Sequence, residues 1–311
     1  MREFRQPNDE YVFGFSKYLE PIARIAQGEE VVIYTKDAFS GKLDSVDKMP
    51  HEVVKMPYAN PQTGPFYIEG AEPGDTLVVE FLDIEPARDW AVSCNQVEFG
   101  GLCATPTTSM LNAPLPEKTW IYEFDEKKAT LTSTTDAALS FPWKPFFGTV
   151  TTAPALEVIS ACTPFNQGGN MDCPDTCKGN KVLLPVAVEG AYFYLGDCHA
   201  NQGHGELCGV ALEIDGKATV KFSVIKNKPI NNVRIENDEY MMCVGSAKPM
   251  EDAARMAYKD LIKWMGEFGW DEIDAYQALS QCGEMYVGNM VDHNYSLVAK
   301  VKKEIVMRKS R

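Results

Sequence analysis

Positive charge, histidine and long apolar runs are all scarce in this sequence, and each shortage removes a class of function. Thirty Lys and Arg face 44 Asp and Glu, a net charge of −14 over 311 residues. Nucleic acids and anionic membranes are held by clustered Lys and Arg that neutralise phosphate, so neither is an expected partner. No apolar run approaches the roughly 18 residues expected of a membrane span. The opening residues, MREFRQPNDEYVFGF, lack the apolar core and small-residue cleavage site of a secretory signal, so export is not expected. Nine cysteines, an odd number without a regular framework, are then expected to be reduced thiols in the cytoplasm. An H-E-x-x-H zincin helix, a G-x-S-x-G elbow, a Walker P-loop and internal repeats are also missing. With four histidines in all, a three-histidine metal site would use nearly every one, including the distant His51 or His293. A carboxylate-rich site is the simpler expectation.

What is present supports a sizeable core. Hydrophobic residues make up 45% and aromatics 11%, and the length suggests two or three units. Up to about Leu139 short runs rich in Val, Ile, Tyr and Phe, such as Glu30–Thr35 and Thr76–Ile84, alternate with turn signals such as Glu72-Pro73-Gly74-Asp75, which predicts strands. Phe141-Pro142-Trp143-Lys144-Pro145 marks a boundary, and a second strand-rich block runs to about Ile235. After Val244 the period changes. Ala254, Ala257, Leu261, Met265 and Phe268 fall at helical spacing, and a second helix is predicted from Asp271 to Cys282, capped by Asp271 and ended by Gly283. Strands over Met285–Met290 and Ser296–Val301 follow. The expected fold is mainly β, with β-sandwich or barrel blocks followed by two helices and a terminal strand pair. It divides into an N-terminal β domain (1–139), a second β block (140–235) and a smaller α+β C-terminal part (236–311).

The chemistry concentrates between Gly168 and Glu206. Asn170 and Asp172 stand at one end of this stretch, and Asp197, His199, Gln202, His204 and Glu206 at the other. The apolar run Val182–Leu195 between them reads as a strand or hairpin, with Gly196, Gly203 and Gly205 turning the chain after it. Asp197 and His199 are two apart, so on a strand they leave the same face. Carboxylate and imidazole suit Zn²⁺ with an open position for water. The other reading is a loop whose acid and histidine cap backbone amides. So many polar groups beside an apolar run are costly unless satisfied. Cys198, the odd member of the alternation, is expected to point into the sheet rather than serve as a nucleophile. Cys173 and Cys177 have the wrong spacing for a zinc ribbon.

The runs Gly168-Gly169-Asn170-Met171-Asp172, Leu184-Pro185-Val186, Gly196-Asp197-Cys198-His199-Ala200 and Gln202-Gly203-x-Gly205-Glu206 together resemble the acetamidase/formamidase family. Gly64-Pro65, Glu69-Gly70-Ala71 and Pro73-Gly74-Asp75 upstream, and the tail ending at Gly288–Asp292, extend the resemblance over nearly the whole chain. It implies a mostly β amidohydrolase that converts short-chain amides to acid and ammonia. It also implies a divalent metal, zinc, and assembly as a homodimer or larger homo-oligomer. The family pattern carries onto Asn170, Asp172, Asp197, His199, Gln202, Gly203, Gly205 and Glu206, whereas position 204, commonly Asp in the family, is His204 here.

On that basis Asp172, Asp197 and His199 are assigned as metal ligands and Glu206 as the proton shuttle, with ligation by Glu206 as the alternative. Asn170 and Gln202 are expected to orient the amide, and Asp37 and Glu69 to enter the site as further acids from the N-terminal block, with an ordinary surface acid or cap as the alternative for either. Tyr192 and Tyr194 are expected to wall a pocket admitting one- to three-carbon amides, with His204 at its rim. Two rival readings stay open: an amidase using a Cys198 nucleophile, and a non-catalytic β-sandwich protein holding Ca²⁺.

Overall fold

The computed structural model describes residues 1–103, 111 and 113–309. Alternation sets the architecture. In Glu30–Thr35, and over most of Gly216–Ile225, every second side chain is buried, as on strands with one face against a core. Both belong to a nine-stranded sheet, whose order is Arg2–Phe4, Glu30–Thr35, Gly216–Ile225, Thr76–Pro86, Lys181–Pro185, Arg234–Glu236, Tyr240–Ala247, Tyr295–Lys302 and Glu284–Asn289. A five-stranded sheet faces it, ordered Gly168–Asn170, Phe146–Thr151, Phe193–His199, Gln62–Ile68 and Ala23–Ile25. One apolar cluster fills the space between them, drawing Val79, Phe81, Val220 and Phe222 from the larger sheet and Phe66, Phe147, Phe193 and Leu195 from the smaller. Phe81 stacks on Phe147 at 5.9 Å, and Phe193 meets Phe222 edge-on at 5.1 Å. The result is a sandwich. Burying each such phenyl ring contributes about 1.5–3 kcal/mol.

A four-stranded antiparallel sheet, Ser140–Pro142, Thr130–Ser133, Lys118–Asp125 and Trp90–Asn95, continues from the side of the smaller sheet. Glu213 makes the join, exchanging backbone hydrogen bonds with Val92 (2.9 and 2.8 Å) while bridging to His199. The helix Met250–Gly266 lays Ala257, Leu261 and Met265 on Met241, Cys243, Ala299 and Val301 of the larger sheet. The next helix, Glu272–Cys282, starts where the Asp271 carboxylate accepts from the N–H groups of Ile273 and Asp274. It stops at Gly283, where a Cβ would meet the Leu279 carbonyl at 2.5 Å. Mainly β structure followed by two helices and a strand pair is thus what the sequence pattern predicts. Among the described residues no helix is long and apolar enough to cross a membrane.

One expectation changes. The apolar run Val182–Leu195 is neither one strand nor a hairpin. Lys181–Pro185 pairs with Thr76–Pro86 in the large sheet, while Phe193–His199 pairs with Phe146–Thr151 in the small one. Its two strands are apolar at successive positions because both their faces are covered: Val182, Leu184, Phe193 and Leu195 line the sandwich interior, while Leu183 and Tyr194 pack in separate clusters. Gly196 is no turn either. It lies within the Phe193–His199 strand, where a Cβ would fall 2.4 Å from the Gln62 side chain.

Candidate active site

The Phe193–His199 strand sorts three consecutive residues by face. Cys198 turns inward to the sandwich core, fully buried against Phe147 and against Gly216, where a Cβ would sit 2.4 Å from its sulfur. Burial, then nearby carboxylates, push its thiol well above the usual range, so it is a packing residue rather than a nucleophile. Asp197 and His199 leave the opposite face, with Asp197 Oδ2 3.2 Å from His199 Nε2. Across the strand pair, in line with Asp197 between the partners Phe147↔Cys198 and Thr149↔Gly196, lies Gly148. A Cβ there would stand 2.3 Å from Asp172 Oδ1, 2.5 Å from Asp197 Oδ2 and 3.0 Å from His199 Cε1. Only a glycine leaves room for the two carboxylates and the imidazole to converge.

Asp172 follows the edge strand Gly168–Asn170 and is held by one oxygen. Its Oδ2 accepts from the side-chain amides of Asn170 (3.0 Å) and Asn289 (2.7 Å). The same two amides donate to Asp292 Oδ2, at 2.9 and 2.7 Å. Asn289 is in turn fixed by the N–H groups of Val291 and Asp292 on its carbonyl oxygen. The C-terminal strand pair thereby locks the Asp172 carboxylate, leaving Oδ1 aimed toward Asp197 and His199. Asp172, Asp197 and Glu206 all have left-handed backbones, with φ of 49°, 62° and 49°. For non-glycine residues that conformation is strained, and such strain collects at functional sites.

Glu206 and Glu213 close the arrangement from the loop after the strand. Donor atoms of Asp172, Asp197 and His199 lie within 4.8 Å of one another, as do those of His199, Glu206 and Glu213. The orientation of the imidazole follows from Gln202. Its Nε2 donates to the carbonyls of Asp172 (3.0 Å) and Gly288 (2.9 Å), so its Oε1 is the atom facing His199 Nδ1 at 2.8 Å. Nδ1 therefore carries hydrogen, and Nε2 is the atom turned to the carboxylates.

Five carboxylates, those of Asp172, Asp197, Glu206, Glu213 and Asp292, are buried around that imidazole. Burial, then the charges of Asp197 and Asp292, push Asp172 well above the usual carboxylate range. Burial and the surrounding acids raise Glu206 and Glu213 likewise, and burial pushes Asp292 up to about 7. Asp197 goes the other way: burial opposes its ionisation, but the facing His199 outweighs it. Asp172 Oδ1, His199 Nε2 and Glu213 Oε2 are buried without a hydrogen-bond partner. A proton on Nε2 would serve His199 alone and leave both oxygens orphaned. A divalent cation at the Asp172–Asp197–His199 group would give Asp172 and His199 the partner that they lack. Two donors at 2.0–2.2 Å from a tetrahedral zinc stand roughly 3.3–3.6 Å apart. His199 Nε2 lies 3.2 Å from Asp197 Oδ2 and 3.3 Å from Glu213 Oε1. The residues fit the group.

Asn170, Asp172, Asp197, His199, Gln202 and Glu206 are therefore brought together, and two predicted acids are not. Asp37 is buried in an ion pair with Arg88, beside Asp215, and accepts from the N–H groups of Phe39 and Gly41. Glu69 is exposed on the surface. The expected Tyr192–Tyr194 wall is also absent. Tyr194 is buried in a separate cluster with its hydroxyl on Ser16, and Tyr192 packs on Tyr67. Above the acids lies instead a cavity of about 430 Å³, bordered by Gln202, Glu206, Phe99, Tyr122, Phe141 and Leu207. His204 stacks on Tyr286 at 4.6 Å on the rim of that cavity. Glu213, Asn289 and Asp292 join the site although the sequence does not single them out. An acid inside the apolar run Val210-Ala211-Leu212-Glu213-Ile214 is a signal in itself, because it must find a partner. The turn at Asn289 and Asp292 gives no such signal.

The profile of the Acetamidase/Formamidase family matches residues 14–163 and 159–305. The crystal structure of an acetamidase from Yersinia enterocolitica is 40% identical to this chain and superposes with a TM-score of 0.91, covering 95% of this chain and 89% of that one. The formamidase of Methylophilus methylotrophus is 24% identical, covering 88% of this chain and 84% of that protein. A relative from Schizosaccharomyces pombe is 28% identical over 70% of this chain, and the match spans 64% of that protein's own length.

Proposed function

Because the chain belongs to the acetamidase/formamidase family, we propose that it hydrolyses short-chain aliphatic amides at the Asp172–Asp197–His199 site with the help of a divalent cation. The reaction is RCONH₂ + H₂O → RCOOH + NH₃. The carrying observation is that Asp172, Asp197 and His199 offer donor atoms within 4.8 Å of one another, with Asp172 Oδ1 and His199 Nε2 buried without a hydrogen-bond partner. A cation held by Asp172, Asp197 and His199, with Glu213 beside them, would polarise the amide carbonyl and acidify a neighbouring water. The imidazole among the donors favours zinc over calcium, which takes oxygen ligands.

The remaining work falls to this chain's own groups. An amide nitrogen is a poor leaving group until it is protonated. Glu206, the carboxyl of the cluster that borders the cavity, is pushed toward its protonated form by burial and by the facing acids, so it can deliver that proton and recover one from water. Gln202 fixes the imidazole, and Asn170 with Asn289 fixes Asp172. Removal of water by burial strengthens each of these interactions. The protein works in the cytoplasm, in keeping with nine unpaired cysteines, as a homodimer or larger oligomer whose size sedimentation would read.

The test is ammonia release from formamide and acetamide. Prolonged chelation should abolish it and added Zn²⁺ restore it, while Cys198→Ala should remain active. Turnover that survives complete metal removal but is lost in Cys198→Ala would overturn the reading.

A further inference from the structure

The cavity over Glu206 is too large and too greasy for the smallest amides. Acetamide has four heavy atoms and occupies on the order of 100 Å³, taking ~30 Å³ for each water-sized group as an upper bound. The cavity measures about 430 Å³, within the range of ~300–1,000 Å³ that holds much larger ligands. Beyond Glu206 and Gln202 its walls are mainly apolar, with Phe99, Leu102, Tyr122, Phe141, Leu207 and Leu212 the largest side chains. Leu102 is 66% and Leu207 51% exposed, so wetted apolar surface surrounds the entrance. None of the described residues bordering the cavity is Lys or Arg. Glu206 stands at its base, and the chain as a whole carries a charge of −14.

These features constrain a substrate that reacts at the buried acids. Its carboxamide must reach past Glu206 to the His199 cluster, and a primary amide has only one other substituent. That acyl chain must lie in the cavity. An anionic chain would lose its hydration there and meet no Lys or Arg among the described residues bordering the cavity, whereas an apolar chain would remove the wetted leucines and aromatics from water.

Resting on the amidase reading above, we propose that the preferred substrates are uncharged primary amides with an apolar acyl chain of four to six carbons, the chain lying along Tyr122, Phe141 and Leu207. Each buried methylene then raises kcat/KM by about fourfold, so pentanamide exceeds acetamide by up to ~60-fold over three methylenes. Succinamate, which places a carboxylate where pentanamide has its terminal ethyl group, falls on the order of 10²-fold below pentanamide.

The experiment measures kcat/KM by ammonia release for formamide, acetamide, butanamide, pentanamide, hexanamide and succinamate, using the zinc-supplied full chain. It is repeated with Phe141→Asp and Leu102→Asp, two exposed positions, so that one misfolded variant does not remove the test. Expected are a rise along the apolar series, a low rate for succinamate, and a pentanamide-to-acetamide ratio that collapses toward unity in either variant. Rates that peak at formamide or acetamide would overturn the proposal while leaving the amidase reading intact. An unchanged ratio in both folded variants would overturn the placement of the chain. Absence of ammonia from every amide would overturn both this proposal and the reading beneath it.

Discussion

Replacing Gly148 by Ala adds one methyl group and alters no functional side chain. The new Cβ would lie 2.3 Å from Asp172 Oδ1 and 2.5 Å from Asp197 Oδ2, roughly 1 Å inside the ordinary ~3.5 Å carbon contact distance. Neither carboxylate can simply retreat. Asp172 is held through its other oxygen by Asn170 and Asn289, and Asp197 is held by the strand and by His199. Overpacking of this kind costs about 1–3 kcal/mol of stability. Displacing catalytic groups by ~1 Å costs on the order of 10² in rate, and disturbing the groups that orient metal ligands costs ~10–100-fold in metal affinity. Thermal unfolding, zinc titration of the chelator-treated protein, and ammonia release would each be measured on the variant. The expected result is a folded protein with a modestly lowered Tm, zinc binding weakened at least tenfold, and rates down about a hundredfold. A variant that binds zinc as tightly as the parent and turns over amide within threefold of it would refute the convergence of Asp172, Asp197 and His199 at this point.

Further outcomes follow from the same geometry. Glu206→Gln should cost ~10²–10⁴ in rate while zinc stays bound; loss of zinc would make Glu206 a ligand rather than a proton carrier. His204→Asp, at the rim, should keep metal and hold activity within about tenfold, a barrier change of ~1.4 kcal/mol, and loss of zinc would show His204 in the donor set. Asp75 is buried, a position that by itself would raise its pKa, yet Lys226 and the N–H groups of Asn227 and Glu72 hold it below the usual range. Its folded-state pKa being depressed, the stability it contributes is present above the unfolded value of ~3.9 and is lost as pH falls through the folded value. Asp75→Asn should therefore lower stability at pH 7 by about 1.5–3 kcal/mol, and the gap to the parent should close in acid melts below pH 4; a gap independent of pH would refute the ionic account.

The part of the site readable from the sequence is the part that lies on one strand. Period-two alternation put Asp197 and His199 on one face and Cys198 on the other, and the Phe193–His199 strand does so. Local chemistry likewise forecast the second helix, because Asp271 is a cap whatever it packs against. Long-range pairing was not readable. An apolar run cannot say that its two halves join different sheets, so Val182–Leu195 reads as a strand or hairpin while its halves pair apart. Asp292 and Asn289 reach the site only because the C-terminal strand pair folds back over Asp172. Gly148 carries no side chain to attract notice, yet it makes the space in which the acids meet. Asp37 looked like the other acids by sequence; its partner, Arg88, lies 51 positions away. Tyr192 and Tyr194 adjoin the loop in sequence, but Tyr194 leaves the Phe193–His199 strand into a separate cluster and Tyr192, just before that strand, packs on Tyr67.

The central claim is that the orphaned atoms around His199 hold a cation the reaction requires. Elemental analysis of protein purified without chelators or added metal, paired with ammonia release from the same samples, tests it most directly. The account predicts ~1 divalent ion per chain, zinc by preference, and activity proportional to occupancy across partly stripped samples. Full turnover in protein free of bound metal would contradict it.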